Sequence, residues 1–200
     1  MASTSKPVVV RWVPGAVSPD ALDDVRAMRA RGFAGMGPTP DEQTLANRRE
    51  RAHRRWVRGE AAEEGGLMHV AEVDGAFVAV ANTLRRTIHT PTGPVAVLGL
   101  AGVASDPTVR GGGFGKAVVR DAFARLDEEA VPHCLFQTGA ARGFYEKLGA
   151  TLVTNRFVNR AIADPEADPE ASPWFDDCVM RYPAEAPWPD GVIDLNGPSY

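Results

Sequence analysis

The chain has 200 residues, of which 44% are hydrophobic and 24% are charged, a composition ordinary for one globular domain with a sizeable core. Its net charge of −4 argues against a general nucleic-acid-binding protein, which usually carries a basic surplus. The two cysteines are too few for a disulfide scaffold, and no apolar run approaches the roughly 20 residues that span a bilayer. Because residues 1–6 carry no secretory signal, we expect a soluble cytoplasmic protein that binds neither nucleic acid nor membranes.

Capping residues, turn residues and hydrophobic periodicity define the elements along the chain. Ser18 followed by Pro19 predicts a helix start, because serine caps a helix and proline fits its first position. Asp74-Gly75 predicts a hairpin turn, in which both central residues must accept positive φ. The predicted strands are Pro7–Val13, Leu67–Val73, Ala76–Arg86, Val95–Ala104, Pro132–Thr138, Thr151–Ala161 and Asp177–Tyr182. The predicted helices span residues 18–31, 41–64, 113–129 and 140–147. This order predicts a single α/β domain over residues 7–183, with a mainly antiparallel mixed sheet flanked by helices, between tails at 1–6 and 184–200.

A glycine-rich turn, Arg110-Gly111-Gly112-Gly113-Phe114-Gly115-Lys116, joins a predicted strand to a predicted helix. Amide groups at a helix N-terminus have no intrahelical partners and carry partial positive charge, so they bind anions. Glycine lets the backbone approach an anion closely and accepts positive φ at little cost. Arg110 and Lys116 add formal positive charge. The turn therefore predicts the binding of a phosphorylated ligand.

Two segments resemble signature motifs of the GCN5-related N-acetyltransferase (GNAT) family. Leu100–Val109, running into the glycine turn, is similar to the family's acetyl-CoA-binding motif, whose Arg/Gln-x-x-Gly-x-Gly/Ala pattern is met by Arg110, Gly113 and Gly115. Ala140–Ala150 resembles the family's short helix, which reads Ala-x-x-Phe-Tyr-x-x-x-Gly-Phe. The order of the motifs and of the predicted elements also agrees over residues 7–160. The resemblance implies a GNAT fold and an N-acetyltransferase.

The resemblance also implies acetyl-CoA as co-substrate. Its pyrophosphate would lie on the turn amides, and its pantetheine arm would pair like an added strand with the end of the preceding strand. The backbone groups expected to bind the arm belong to Val103, Ala104 and Ser105. Thr138 stands where many members have an asparagine that contacts the cofactor; its hydroxyl can make one such hydrogen bond but cannot reproduce the pattern of an amide. The histidines and cysteines show no ligand spacing, so we expect no metal.

By its place in the second motif, Tyr145 is expected to protonate the departing thiolate. The alternative is an amphipathic core tyrosine beside Ala141 and Leu148. Arg142 of the same motif is expected to contact the cofactor. Because neither motif contains a cysteine nucleophile, we expect the amine to attack the thioester directly in a ternary complex.

The sequence leaves the identity of the general base open. Many relatives carry a glutamate on the strand before the glycine turn, but this chain has Val97, Gly99 and Ala101 there. His133 stands where some relatives carry a glutamate base, and its usual pKa of about 6.5 suits the role; the alternative is a surface or helix-capping histidine. The terminal carboxylate of Tyr200 is a second candidate, unless that tail only covers the core. A water chain is the third.

The acceptor is also open. The net negative charge and the apolar and aromatic residues among the last eight positions favour a small-molecule primary amine as acceptor, such as an aminoglycoside-like antibiotic. We expect the 184–200 tail to pack near the acceptor site. The alternatives are acetylation of a protein N-terminus or lysine and, from another class, an acyl-CoA-binding sensor without turnover. Since dimers are common among relatives, a homodimer is a further expectation.

Overall fold

The computed structural model describes residues 7–34, 50, 53–162 and 167–197. The helices are α1 (Pro19–Phe33), α2, which includes residues 53–57, α3 (Phe114–Glu128) and α4 (Arg142–Glu146). Short 3-10 helices cover Glu60–Glu64 and Pro107–Val109. The strands are β1 (Val8–Trp12), β2 (Leu67–Val73), β3 (Ala76–Thr90), β4 (Gly93–Ser105), β5 (His133–Gln137), β6 (Thr151–Leu152), β7 (Phe157–Val158), β8 (Val179–Tyr182) and β9 (Ile193–Asp194).

Hydrogen-bonded strands follow the order β1-β2-β3-β4-β5-β8-β6, and β9 pairs with both β3 and β7. The β4–β5 and β7–β9 pairs are parallel, whereas β1–β2, β2–β3, β3–β9, β5–β8 and β6–β8 are antiparallel. The predicted α/β fold with a mainly antiparallel mixed sheet is therefore confirmed. The chain falls into two compact units, Met1–Leu84 with Gly102–Ala122 and Arg85–Ala101 with Phe123–Tyr200, and β3, β4 and α3 have residues in both.

In the first unit, α1 begins as its sequence predicts. The Ser18 hydroxyl accepts a hydrogen bond from the Ala21 N–H at 3.3 Å, and proline fills the first helical position. The buried residues Leu22, Val25 and Met28 repeat every three positions, so they share one face of α1. This face packs in one core cluster with strand residues that include Met68, Val70 and Val80.

A buried polar network joins β1, β2, β3 and α3 within the first unit. The fully buried His69 places Nδ1 2.6 Å from Asp121 Oδ2 and Nε2 2.9 Å from Thr83 Oγ1. Arg11 donates to both carboxylate oxygens of Asp121, at 2.8 and 3.0 Å. Partial burial, the largest single effect, raises the pKa of Asp121, but the hydrogen bonds from His69 and Arg11 outweigh it and lower that pKa to about 2.

The second unit is built around β5 and its antiparallel neighbour β8, which pair from Cys134 opposite Tyr182 to Gln137 opposite Val179. Its core includes Ile88, Val97 and Leu135. The C-terminal segment contributes to this core, because Ile193 and Leu195 are 0% and 1% exposed. Ile193 and Leu195 are therefore part of the hydrophobic core of the second unit.

The second helix ends earlier in the structure than the predicted end at Glu64. Gly59 has φ +76, a left-handed conformation that no α-helix continues through, and the residues after it form a 3-10 helix at Glu60–Glu64. The predicted start at Asp41 lies outside the described residues. β3 also continues to Thr90 instead of ending at Arg86, since its far end pairs with β9.

The predicted strand Thr151–Ala161 is wrong as one element, because it is divided between β6 and β7. Between them, the Asn155 side-chain amide donates to the carbonyls of Pro189 and Gly191, at 3.0 and 2.7 Å. These bonds hold the chain against the C-terminal segment, where it then pairs with β9. β9 itself was not predicted, since the tail after Pro183 shows no periodicity.

Candidate functional site

The end of β4 lies in the first unit and has an irregular backbone. Gly102 has φ +59 inside the strand, a conformation typical of a bulge. Of the residues expected to bind the pantetheine arm, Ala104 is buried, while Val103 and Ser105 are partly exposed. A Cβ on Gly32 would lie 2.9 Å from the Ser105 carbonyl oxygen, so only glycine lets α1 lie this close to the strand end.

Asp106, the residue directly after β4, holds the following segment in place through several hydrogen bonds and an ion pair. Its N–H donates to the Val78 carbonyl at 2.8 Å, and one carboxylate oxygen accepts from the Thr108 N–H and hydroxyl at 2.9 and 2.7 Å. The other oxygen pairs with Arg31 of α1 at 2.7 Å. The Thr108 hydroxyl, then Arg31, lower the pKa of Asp106 to about 2. Asp106 therefore positions the segment that leads into the glycine turn.

The glycine turn has the backbone that the sequence predicts. Gly111 and Gly113 have φ +89 and +77, and no atom lies within 4 Å of the place where a Cβ would stand on either residue. At Gly112 a Cβ would lie 2.3 Å from the Phe114 ring. α3 begins within this segment, at Phe114, and Arg110 and Lys116 are exposed. The turn thus presents open backbone and two cations at a helix N-terminus.

Tyr145 lies in the second unit, on α4, and is 6% exposed. Its ring packs against Phe136 and Phe144, with centroids 4.6 and 4.9 Å away. Burial, with a smaller contribution from Cys134, raises the pKa of Tyr145. Its hydroxyl makes no hydrogen bond to the described residues. The phenol therefore keeps its proton at neutral pH and can donate it.

Thr138 follows β5 in the same unit. Its hydroxyl accepts a hydrogen bond from the Ala141 N–H at 3.2 Å, so Thr138 holds the start of α4 and its O–H remains a donor. Arg142 is exposed, and its guanidinium pairs with Glu146 at 2.7 Å, one helical turn on. Thr138, Arg142 and Tyr145 are thus brought together around the carboxyl end of β5.

His133 occupies the opposite end of β5. At about 3.3 Å per strand residue, it lies roughly 13 Å from Gln137. It is 4% exposed, and its ring meets the Trp188 ring edge-on, with centroids 4.8 Å apart. Burial, followed by the positive charge of Arg181, lowers the pKa of His133. The structure therefore does not bring His133 together with Thr138 and Tyr145, and Tyr200 lies outside the described residues.

Neither cysteine is an activated nucleophile. Cys134 is fully buried, and burial raises its pKa. Cys178 is partly exposed, and burial raises its pKa as well, against the opposing charge of Arg142. Since the thiolate is the reactive form, both residues are held in the unreactive thiol form.

Two negative findings apply to the part of the chain that the structure describes. No three or more His, Cys, Asp or Glu side chains lie close enough together to hold a metal ion. None of its helices combines the length and apolarity that crossing a bilayer requires.

Sequence reasoning missed Asp106 as a positioning residue. The signal was present, because an aspartate before Pro107 and two residues before Thr108 is a common helix-capping pattern. The ion pair with Arg31 could not have been found in this way, since the two residues are far apart in the sequence.

Known proteins share this fold. Residues 16–153 match the family model of the acetyltransferase (GNAT) domain. A GCN5-related N-acetyltransferase from Kribbella flavida is 25% identical with a TM-score of 0.53, over 74% of this chain and 34% of that one. A GNAT-family acetyltransferase from Staphylococcus aureus Mu50 is 12% identical with a TM-score of 0.58, over 87% of this chain and 98% of that one. A GNAT-family acetyltransferase from Brucella melitensis, in complex with acetyl-CoA, is 17% identical with a TM-score of 0.52, over 72% of this chain and 83% of that one.

The chain spans about a third of the length of the Kribbella protein and of a probable N-acyltransferase from Enterococcus faecalis, at 34% and 33%. No curated protein sequence matches it. The family model nevertheless covers more than half of the chain and includes both motifs. The chain therefore belongs to the GNAT acetyltransferase family.

Proposed function

We propose that this protein is an acetyl-CoA-dependent N-acetyltransferase that transfers the acetyl group to a primary amine of a small molecule. The observation that carries the proposal is the open glycine turn at the start of α3. The residues with positive φ, Gly111 and Gly113, leave their backbone uncovered, as the close approach of a phosphate requires. The family match includes this turn, and the Brucella relative is a complex with acetyl-CoA.

The donor would be held by backbone and charge together. The pyrophosphate accepts hydrogen bonds from the amides between Gly111 and Lys116, and Arg110 and Lys116 supply positive charge beside it. The pantetheine arm pairs with the end of β4, where Gly102 interrupts regular strand geometry. A backbone N–H at the strand end would stabilise the oxyanion that forms on the thioester carbonyl.

Transfer proceeds by direct attack in a ternary complex. The neutral amine nitrogen attacks the acetyl carbon and forms the C–N bond, the nitrogen gives up one proton to a base or to water, and the C–S bond breaks. Tyr145 gives its proton to the departing thiolate, since a phenol is protonated at neutral pH and its hydroxyl is a hydrogen-bond donor. The two cysteines are held as thiols, which supports direct attack over an acyl-enzyme intermediate.

A thiol-release assay tests the proposal. The full chain is incubated with acetyl-CoA and, separately, tyramine, spermidine, kanamycin and a lysine-containing peptide, and free CoA is followed with a thiol-reactive dye. We expect release above background with at least one small amine. Release with the peptide alone would favour a protein acetyltransferase. Acetyl-CoA binding without release for any acceptor would indicate a sensor and contradict the proposal.

A further inference from the structure

The segment after Trp174 runs beside the carboxyl end of β5, in the second unit. The Gln137 side-chain carbonyl accepts hydrogen bonds from the backbone N–H groups of Phe175 and Asp176, at 2.8 and 3.0 Å. One step further along, the Thr138 N–H donates to the Cys178 carbonyl at 2.9 Å. Asp176 is thus held in register with the residues that lead from β5 into α4.

The Asp176 carboxylate faces the loop that begins α4. Its Oδ1 lies 3.1 Å from the place where a Cβ on Gly139 would stand, so a larger residue at position 139 would push against it. Its side chain is partly buried and forms no hydrogen bond or ion pair with the described residues. Burial, and then the neighbouring charge of Asp177, raise the pKa of Asp176.

Asp176 also lines a cavity of about 440 Å³ within the second unit. Trp174 and Phe157 contribute aromatic surface to its wall, and Thr154 and Asn155 contribute polar groups. The other charged side chains on this wall are Asp177, Glu170 and Arg156, the last two paired with each other at 3.0 Å. The cavity therefore offers apolar surface and the carboxylates of Asp176 and Asp177, which have no ion-pair partner among the described residues and suit an amine with an apolar body.

Other titratable groups around this end of β5 are less suited to accept a proton. Glu146 is paired with Arg142, Asp177 is exposed, and Cys178 is held as a thiol. His133 lies at the other end of the strand, buried beside Arg181. Asp176 combines partial burial, a carboxylate that pairs with no residue in the described part of the chain, and a position beside the loop that carries Thr138.

We propose that Asp176 is the general base of this enzyme and that the acceptor amine reaches it from the cavity that it lines. The inference rests on the proposed acetyl transfer. As the C–N bond forms, the attacking nitrogen becomes positively charged, and one of its protons passes to the Asp176 carboxylate. The C–S bond breaks, and the thiolate takes the Tyr145 proton. Asp176 then releases its proton to solvent, and the Tyr145 phenolate regains one from solvent.

The test compares Asp176→Asn with Asp190→Asn, which makes the same charge change at an exposed residue of the same unit. With the best acceptor of the amine panel, Asp176→Asn should lower kcat by roughly 10²-fold, the effect expected for a lost general base. Its Kd for acetyl-CoA, measured by calorimetry, should stay within about twofold of wild type. Asp190→Asn should leave both values unchanged, and Asp176→Glu, which retains a carboxylate, should keep more activity than Asp176→Asn.

The pH profile gives an independent readout. Wild-type kcat should rise with pH as Asp176 loses its proton, with a midpoint above the usual aspartate range, and this limb should be missing in Asp176→Asn. Unchanged kcat in Asp176→Asn, or a parallel loss of acetyl-CoA affinity, would overturn the assignment and leave the proposed function standing. No turnover by the wild-type protein with any amine would overturn both.

Discussion

A methyl group on Gly113 offers a direct test of the glycine turn. Gly113 has φ +77, where an L-residue other than glycine costs about 1–2 kcal/mol. In a chain of this length each kcal/mol lowers Tm by about 2–4 °C, so Gly113→Ala should melt roughly 2–8 °C below wild type. The new Cβ would stand in the open space over the turn, which is where the pyrophosphate would lie.

Loss of one hydrogen bond to a charged phosphate is worth about 1.5–3 kcal/mol, which is roughly 10- to 100-fold in Kd. Gly75→Ala is the matched control, because Gly75 has φ +79 and equally open surroundings in the hairpin turn between β2 and β3. It should show the same loss of Tm and normal affinity. Calorimetric titration with acetyl-CoA and a thermal melt measure both quantities. If Gly113→Ala binds acetyl-CoA as tightly as Gly75→Ala, the turn does not hold the pyrophosphate.

Two further predictions concern Tyr145 and the buried polar network. Tyr145→Phe should lower kcat roughly 10²-fold while the Kd for acetyl-CoA is retained, since only the proton donor is lost; unchanged turnover in the thiol-release assay would remove Tyr145 from the mechanism. Asp121→Asn should destabilise the fold by about 1–3 kcal/mol in urea unfolding, because Arg11 and the buried His69 lose their carboxylate partner. The Asp121 pKa is depressed to about 2, so its contribution is complete above the ordinary aspartate pKa of about 3.9 and is lost as pH falls toward 2. As pH falls from about 4 toward 2, the free energy of unfolding should therefore decrease more for wild type than for Asp121→Asn. Equal decreases would contradict the stabilising role of the Asp121 carboxylate.

Local chemistry made several elements predictable. Ser18 and Pro19 marked the start of α1, and Asp74-Gly75 marked a hairpin whose two turn residues have φ +50 and +79. The glycine turn was predictable for the same reason, because positive φ and a helix start are both indicated by the residues at those positions. These features depend on neighbouring residues, so one sequence suffices to find them.

Strand pairing and side-chain contacts between residues far apart in the sequence could not be predicted from local signals. β7 and β9 are short strands, and their register depends on Asn155 holding the C-terminal segment. The register of Asp176 beside Gly139 depends on Gln137, which is distant in sequence. The motif positions therefore indicated His133, and not Asp176, as a candidate base. His133 and Thr138 already stood near opposite ends of the predicted strand Pro132–Thr138, but the place of Asp176 beside the carboxyl end of β5 depends on the tertiary structure.

The most direct measurement of the central claim follows the acetyl group itself. The full chain is incubated with acetyl-CoA carrying a ¹³C-labelled acetyl group and with each amine of the panel, and the acceptor is examined by mass spectrometry and NMR. We expect one labelled acetyl group in amide linkage on the nitrogen of a small amine, formed in step with free CoA. Label that stays on CoA or appears as free acetate with every amine would contradict it.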